Sequence, residues 1–337
     1  MRLTGKQTWV FQNDLYVNAT GTAVGPMEAQ GPLGECFDII YDDLHCNEET
    51  WELAERRLMN DSIQAALKKA NLQAQDIDFF LAGDLLNQTV TANYVARQLG
   101  VPFLGMFGAC STSMETLAVG SALIDAGFAK RVLATVSSHN ATAERQFRYP
   151  TEYGGQKPET ATFTVTGAGT ALVSCQPSPI KITAATIGKV QDLGIADPFD
   201  MGSAMAPAAA HTIQQHFEDL GRSAKDYDLI VTGDLSGVGT PIARQLLLEE
   251  GYDLGNVYND CGLMIYRKDQ EVFAGGSGCG CSAVVTYGHL LQEIRRGNYR
   301  RILVVATGAL LSPTMVQQKE TIPTIAHAVV FEKAKGV

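Results

Sequence analysis

The feature that most limits what this chain can fold into is a diverged internal repeat. Residues 76–85 and 226–235 each read as a short polar lead, a run of four apolar residues and a Gly-Asp pair. A buried parallel strand has this pattern, because it is apolar on both faces and ends in a loop. An amphipathic helix is predicted before each copy, over 62–70 in the first half and over 208–220 in the second.

A second block recurs in the same order. A turn containing glycine and cysteine opens a helix at 108–111 and again at 278–282, and the two helices close at Gly127 and Gly297. Each helix is followed by a basic pair and an apolar strand, and each half begins and ends with further apolar strands. Helices that alternate with strands in this way imply parallel crossover connections and an α/β architecture.

The duplication also predicts how the chain is divided. We expect an N-terminal half over 1–178 and a C-terminal half over 179–337, with one layer of helices buried between two sheets. Hydrophobic residues make up 45% of the chain and charged residues 18%. This composition supplies a large core and excludes intrinsic disorder, which requires low hydrophobicity and high net charge.

Charge and cysteine content narrow the classes of function. The net charge is −10 and no four consecutive residues are Lys or Arg, so nucleic-acid binding is not expected. The seven cysteines are odd in number and scattered, which favours a reducing compartment over a disulfide framework. The first residues lack the apolar region of a signal peptide, and no window approaches the ~18 apolar residues of a membrane-spanning helix.

Cys110 is the candidate for covalent chemistry. It lies between an apolar strand, 103–107, and a helix, where unpaired N–H groups and the helix dipole stabilise a thiolate. A small buried cysteine in a crowded turn explains the same pattern. Acyl transfer would also need a base. His139 follows the next strand, at the edge where α/β sites gather, whereas His211 and His216 lie within a helix and suit packing.

The sequence resembles the thiolase superfamily, which includes the β-ketoacyl synthases. The resemblance rests on segment 21–26, the Cys110 turn, segment 127–131 and the turn at 275–282, and it covers essentially the whole chain. It implies a five-layered αβαβα fold with Cys110 at the nucleophile position. It also implies a homodimer in which segment 87–91 lies near the partner's pocket.

The chain departs from that superfamily at two activating positions. The enzymes place a His after the strand equivalent to 229–232, and a His or Asn in the turn equivalent to 275–282. An ionised carboxylate at the first position only accepts hydrogen bonds, so it could not polarise a thioester carbonyl. Condensing activity should therefore be severely impaired. The side chains found in these two segments are those of Asp234, Ser236, Ser277, Cys279 and Cys281.

A closer resemblance is to the stage V sporulation AD family of endospore-forming bacteria. It rests on segments 31–38, 83–88, 108–113, 147–154 and 275–282. It implies a non-catalytic protein that binds dipicolinic acid, either free or as its calcium chelate, and assists its uptake into the spore. It also implies a peripheral position at the forespore or spore inner membrane, with integral-membrane partners from the same operon. Neither a cofactor nor a metal site is predicted.

Dipicolinate is a flat pyridine with two carboxylates, so its pocket needs cations, helix N-termini and an apolar face. Helix starts at Cys110 and Cys281 could serve, and Arg145 and Arg148 could reach the pocket or lie in a solvated loop. Carboxylates at strand ends would suit calcium, although they are equally ordinary as turn caps. The candidate binding residues are Cys110, His139, Arg145, Arg148, Asp84, Asn87, Asp234, Ser236, Ser277, Cys279 and Cys281.

Two other functions stay open at this point. Cys110 with His139 as an unconventional base would make the protein an acyltransferase. A structural adaptor of a membrane complex would bind neither a thioester nor dipicolinate. The Cys279–Cys281 pair fits a tight turn of small residues better than a zinc site, which normally has C-x₂₋₄-C spacing and four ligands.

Overall fold

The computed structural model describes residues 2–147 and 156–335. Within these residues the chain forms fourteen strands: β1 Arg2–Thr4, β2 Thr8–Val24, β3 Ile39–Ile40, β4 Phe79–Gly83, β5 Phe103–Gly105, β6 Arg131–Ser138, β7 Phe163–Thr164, β8 Gly167–Ser174, β9 Ile180–Thr186, β10 Leu229–Thr232, β11 Tyr258–Asp260, β12 Gly276–Ser277, β13 Arg301–Ala309 and β14 Thr324–Lys333.

The same residues form eleven α-helices: α1 Pro26–Ala29, α2 Trp51–Ala70, α3 Val90–Leu99, α4 Thr112–Asp125, α5 Asn140–Phe147, α6 Met201–Leu220, α7 Ser236–Glu249, α8 Cys261–Met264, α9 Cys279–Val284, α10 Leu291–Arg296 and α11 Pro313–Gln317. A π-helical segment at Val285–Leu290 joins α9 to α10. Short 3₁₀ turns occur at Gly34–Cys36, Ala74–Asp76, Asn87–Thr89, Ala224–Asp226 and Gly255–Val257.

The sheet topology repeats between the two halves. The main sheet has the strand order β11-β10-β13-β14-β9-β2-β8-β6-β4-β5, with β1 and β3 added beside β2. Counted outward from the centre, the strands of the first half follow the order β2, β8, β6, β4 and β5. They therefore correspond, in that order, to β9, β14, β13, β10 and β11 of the second half. In both halves the three outermost strands are parallel and the fourth is antiparallel to its neighbours. The predicted duplicated α/β fold is confirmed.

The two sets of strands are joined at the centre. β2 pairs with β9 in antiparallel register from Thr8 opposite Thr186 to Tyr16 opposite Lys181, with an irregularity in between. The two predicted sheets are thus continuous through this pair. Helices α4 and α9 contact strands of both halves, whereas α2 and α6 each cover the outer face of one half. The layers follow the order αβαβα.

The two central helices, α4 and α9, contact each other. Ser113 Oγ on α4 and Ser282 Oγ on α9 are 2.7 Å apart and hydrogen-bonded. Each serine stands three residues after a cysteine, Cys110 and Cys279, so these two cysteines occupy equivalent positions. α9 also packs closely on β8: a Cβ at Gly169 would lie 2.8 Å from the Cβ of Ala283.

The long outer helices begin earlier than their apolar periodicity predicts. α2 begins at Trp51, where the Thr50 side chain accepts a hydrogen bond from the N–H of Leu53. α6 likewise begins at Met201 rather than at residue 208, with Asp200 as its N-cap. The first turns of α2 are rich in charged residues and those of α6 in small ones, so the amphipathic signal is weak there. No helix in the described ranges has the length and apolar character needed to cross a bilayer.

Candidate functional site

Cys110 lies in the turn between β5 and α4, against a small cavity. Ala109, which precedes it, has a φ of 51°, a left-handed conformation that is strained for a residue with a Cβ. The Cys110 side chain is 6% exposed. The cavity has a volume of about 20 Å³, which is room for about one water molecule. It is lined by Leu85, Phe107, Ala109, Cys110, Phe147, Thr164, Met201, Ser277, Ala309 and Leu311.

A buried carboxylate faces the Cys110 sulfur from the other half of the fold. Asp234 follows β10, and its Oδ1 accepts a hydrogen bond from Thr307 Oγ1 at 2.6 Å. Its Oδ2 accepts from Ser277 Oγ at 3.0 Å and from the main-chain N–H of Gly278 at 2.8 Å. The Cys110 thiol lies beside this carboxylate and interacts with it electrostatically. Asp234 therefore fastens the glycine-rich turn next to the thiol.

The electrostatics of this pair keep the sulfur protonated. Burial raises the pKa of the Cys110 thiol well above its ordinary value, and the negative charge of Asp234 raises it further. Burial also raises the pKa of Asp234, against its hydrogen-bond donors. A thiolate, rather than a thiol, is the nucleophile in acyl transfer. In this setting Cys110 is held in its thiol form.

His139 is not among the residues that line the cavity. Its ring is buried at the end of β6, with Nε2 2.7 Å from the carbonyl oxygen of Leu44. Nδ1 accepts a hydrogen bond from the N–H of Ala141 at 3.2 Å. Burial lowers the pKa of His139 to about 4. Nε2 therefore anchors the loop before α2 to the end of β6, and Nδ1 accepts from the first turn of α5.

The glycine-rich turn is held by its own side chains. The Cys279 thiol donates to the carbonyl oxygen of Ser137 at 2.9 Å, and Cys281 is fully buried. Ser236 has a φ of 53°, and its Oγ donates to the carbonyl oxygen of Gly276 at 2.7 Å. These contacts fit the interpretation of small residues in a tight turn. Within the described chain, no cluster of three His, Cys, Asp or Glu residues could hold a metal.

Asp84, the counterpart of Asp234 in the first half, fixes the segment that follows β4. Its two carboxylate oxygens accept hydrogen bonds from the N–H groups of Leu86 at 2.9 Å and Ala92 at 2.8 Å. The chain between these anchors contains the 3₁₀ turn Asn87–Thr89, in which Thr89 has a φ of 49°. A left-handed β-branched residue is an outlier that strong local anchoring must maintain.

An open groove lies over the Cys110 cavity. Its volume is about 450 Å³, and it shares Leu85, Phe107, Phe147 and Leu311 with the cavity. Asn87 and Gln146 form part of its wall, and the N–H of Asn87 donates to Gln146 Oε1 at 3.0 Å. No charged side chain occurs in the described lining, which comprises residues 85–89, 105–107, 146–147 and 310–313.

The two candidate arginines lie elsewhere or outside the described ranges. Arg145, on α5, is ion-paired with Glu52 and lies over the ring of Trp51, with its guanidinium carbon 5.5 Å from the ring centroid. It is directed toward α2 in this structure. Arg148 falls outside the described residues.

Several residues of the site escape sequence reasoning. Phe147, Thr164, Met201 and Leu311 line the cavity, yet they come from four distant segments. An isolated apolar residue carries no sequence signal that it will line a cavity. Thr307 donates to Asp234 from inside an apolar strand. Its hydroxyl is the one sequence signal that this position has a polar partner.

Solved structures with similar folds come from the condensing enzymes and thiolases. 3-Oxoacyl-[acyl-carrier-protein] synthase III from Aquifex aeolicus is 15% identical, with a TM-score of 0.56 over 94% of this chain and 99% of that one. Human mitochondrial 3-ketoacyl-CoA thiolase, solved in complex with CoA, is 13% identical, with a TM-score of 0.59 over 96% and 99%. At these identities the similarity establishes the thiolase-like fold alone.

Sequence comparison is far more specific. A curated relative, stage V sporulation protein AD of Bacillus subtilis (strain 168), is 69% identical over 336 residues, covering 100% of this chain and 99% of that protein. The family described as stage V sporulation protein AD matches residues 5–332. The chain therefore belongs to the stage V sporulation protein AD family, on a thiolase-like scaffold.

Proposed function

We propose that this protein binds dipicolinic acid and assists its uptake into the spore, without condensing activity of its own. Its membership of a sporulation family and the chemistry around Cys110 support the proposal. The observation that carries it is the contact between Cys110 and Asp234. Where the condensing enzymes have an imidazole, this chain has a buried carboxylate that keeps the sulfur protonated.

The same carboxylate opposes the transition state of acyl transfer. A tetrahedral intermediate carries a negative oxygen, which enzymes stabilise with preorganised N–H donors. Here the N–H of Gly278 is directed at Asp234 Oδ2 at 2.8 Å, so that donor is already taken. A negative charge beside it would repel an oxyanion. These contacts favour a binding role for the cleft over a catalytic one.

The groove above Cys110 is the proposed ligand site. Small-molecule pockets usually measure ~300–1,000 Å³, and the groove, at about 450 Å³, falls in this range whereas the cavity beneath it, at about 20 Å³, does not. Phe107 and Leu311 offer apolar surface for a flat ring, and Asn87 and Gln146 offer amides. Because the described lining is uncharged, it suits the neutral calcium chelate better than the dianion.

Calorimetric titration of the purified protein tests this proposal. We expect saturable heat with dipicolinate in the presence of equimolar calcium, and weaker binding when a chelator removes the calcium. Phe107→Ala should weaken binding, because Phe107 lines the groove and is 47% exposed. Phe128→Ala is the matched control, since Phe128 is 73% exposed and does not line the groove. A flat trace with folded protein would contradict the proposal.

Two competing functions give different results. An acyltransferase would gain the mass of an acyl group after incubation with acetyl-CoA or a longer acyl-CoA, and the adduct would be lost in Cys110→Ala. That outcome would overturn the binding proposal. An adaptor would bind no dipicolinate, and Phe107→Ala would leave sporulation unchanged.

The proposal includes the assembly that the family resemblance implies. The protein would be a homodimer, attached peripherally at the spore inner membrane through integral-membrane proteins of the same operon. Analytical ultracentrifugation of the purified chain tests the dimer. Fractionation of spores with and without those membrane proteins tests the attachment, which should be lost with them.

A further inference from the structure

A second groove, distant from Cys110, carries an excess of positive charge. It has a volume of about 490 Å³ and lies where β10 and β13 begin, at the opposite edge of the sheet from Asp234. Three carboxylates and five cations line it, in a chain whose net charge is −10. The cations belong to Lys225, Arg300, Arg301, Lys333 and Lys335.

Two of the three carboxylates in this groove already have partners. Arg301 Nε is 2.8 Å from Glu332 Oε1, which compensates that guanidinium. Asp228 Oδ2 accepts hydrogen bonds from the main-chain N–H groups of Arg300 and Arg301, at 2.6 and 2.9 Å. The Asp228 carboxylate therefore fastens the start of β13 instead of pairing with a side chain.

Four cations are left without a carboxylate partner among the described residues. They are all exposed: Lys225, Arg300, Lys333 and Lys335. The end of α10 is close to one of them, since a Cβ at Gly297 would lie 2.6 Å from Lys333 Nζ. Like charges without carboxylate partners repel each other in one groove and create a local positive potential there.

The duplication supplies an internal comparison for this backbone. In the first half, Asp78 Oδ2 accepts from the N–H groups of Lys130 and Arg131, again at 2.6 and 2.9 Å. Arg131 lies opposite Ser174 in the sheet, as Arg301 lies opposite Glu332. The two edges therefore share one construction, and their positions can be matched residue by residue.

The matching shows that the lysines are not required by the fold. Lys225 corresponds to Gln75 in the equivalent 3₁₀ turn. Lys333 and Lys335, which follow Glu332, correspond to Cys175 and Pro177, which follow Ser174. The first half forms the same edge with three uncharged residues at these positions.

We infer that the groove formed by Lys225, Arg300, Lys333 and Lys335 binds a phosphate group. A compact multivalent oxyanion matches several unpaired ammonium groups beside one guanidinium, which can donate two parallel hydrogen bonds. A soluble phosphoester and an anionic lipid headgroup both present this chemistry. The site is separate from the groove above Cys110 and would act independently of it.

The test compares two triple variants with the same charge change. In the groove variant, Lys225→Gln, Lys333→Gln and Lys335→Gln remove three of the unpaired charges. The control variant carries Lys68→Gln, Lys189→Gln and Lys268→Gln, at exposed lysines that do not line the groove. Both variants are compared with the native chain only after their urea unfolding midpoints are shown to agree.

The probes are inorganic pyrophosphate, by calorimetry, and vesicles containing phosphatidylglycerol, by co-sedimentation, both at ~0.1 M salt, where the Debye length is ~10 Å. We expect at least a tenfold loss of affinity in the groove variant and little change in the control. Binding of pyrophosphate alone identifies a soluble ligand, and vesicle binding that pyrophosphate displaces identifies a headgroup. The inference is overturned if neither probe binds, or if both variants lose affinity equally.

Discussion

The thiol of Cys110 and the carboxylate of Asp234, which come from different halves of the duplicated fold, lie beside each other in a site almost closed to solvent. This pairing affects whether the sulfur is present as a thiol or as a thiolate. A neighbouring cation or neutral imidazole base would promote the thiolate, whereas a buried carboxylate favours the thiol. Cys110 therefore lies in a strand-to-helix turn beside a group that disfavours its ionisation.

Replacing Asp234 by Asn should make Cys110 more reactive. The substitution removes the negative charge that raises the pKa of the thiol, while burial continues to raise it. We expect the rate of iodoacetamide alkylation of Cys110 at pH 8 to rise several-fold, as read from the mass of the Cys110 peptide. The amide should cost ~1–3 kcal/mol of stability, because it matches the surrounding donors less well.

Asp260→Asn is the matched control for that experiment. Asp260 is equally buried, and its carboxylate accepts hydrogen bonds from Thr232, Leu235 and Ser236. It should therefore lose similar stability without changing the alkylation rate of Cys110. Equal acceleration in both variants would mean that loosened structure, and not charge, controls the sulfur.

Glu55 should make the protein less stable as the pH rises. It is buried between Ser137 and Thr142, whose hydroxyls are 3.0 and 2.8 Å from its carboxylate oxygens. Burial and the neighbouring Asp84 raise its pKa to about 8, against ~4.3 in an unfolded chain. Between these values the folded state holds a proton that the unfolded state has released, so stability falls with rising pH and levels off above about pH 8.

Urea unfolding midpoints measured from pH 5 to 8 test this. Glu55→Gln should make stability fall less steeply with rising pH, by the slope that corresponds to about one bound proton. Glu293→Gln provides a control of opposite sign, because its hydrogen bond from Asn298 lowers the pKa of Glu293. The stability that the Glu293 carboxylate contributes is lost only in acid. Glu293→Gln should therefore retain the fall in stability between pH 5 and 8. An unchanged decline in Glu55→Gln would rule out the buried proton.

The repeat predicted the topology well because its signals are local. The apolar runs at 79–82 and 229–232 each specify a buried strand without reference to the rest of the chain. The pairing of β2 with β9 is different, since it joins residues about 180 positions apart, such as Thr8 and Thr186. No local pattern encodes that register.

The sequence indicates less of the site than of the topology. Asp84 and Asp234 stand out because polar residues directly after parallel strands gather at one edge. Their roles as anchors depend on which N–H groups face them, which only the fold reveals. The groove escaped prediction because Phe107 and Leu311 are distant, ordinary apolar residues until β5 and the segment after β13 meet.

His139 should behave as a structural anchor and not as a catalytic base. Burial lowers its pKa to about 4, against ~6.5 in an unfolded chain, so stability is lost as the pH falls through this interval. His139→Gln should make that acid-side loss shallower and cost ~1 kcal/mol at pH 7 for the weakened contact with Leu44. Dipicolinate titration of the variant should give the native isotherm. Abolished binding with unchanged stability would instead place His139 in the ligand site.

Gly308→Ala should displace the Cys110 turn, because Gly308 on β13 packs against the main chain of that turn. A Cβ at Gly308 would lie 2.2 Å from the carbonyl oxygen of Gly108 and 3.0 Å from the N–H of Ser111, both main-chain atoms that cannot rotate away. β13 would have to retreat, carrying Thr307 away from Asp234. Overpacking of this kind costs ~1–3 kcal/mol, and contact with backbone places Gly308→Ala at the upper end.

Gly105→Ala is the comparison variant for this close approach. Its new Cβ would meet the Phe103 ring at 3.3 Å, and that side chain can shift. Urea denaturation should therefore show a loss below ~1 kcal/mol for Gly105→Ala and several-fold more for Gly308→Ala. The displaced turn should also expose Cys110, so alkylation should accelerate in Gly308→Ala alone. If the two variants are equally stable, the halves do not meet as tightly at Cys110 as this contact requires.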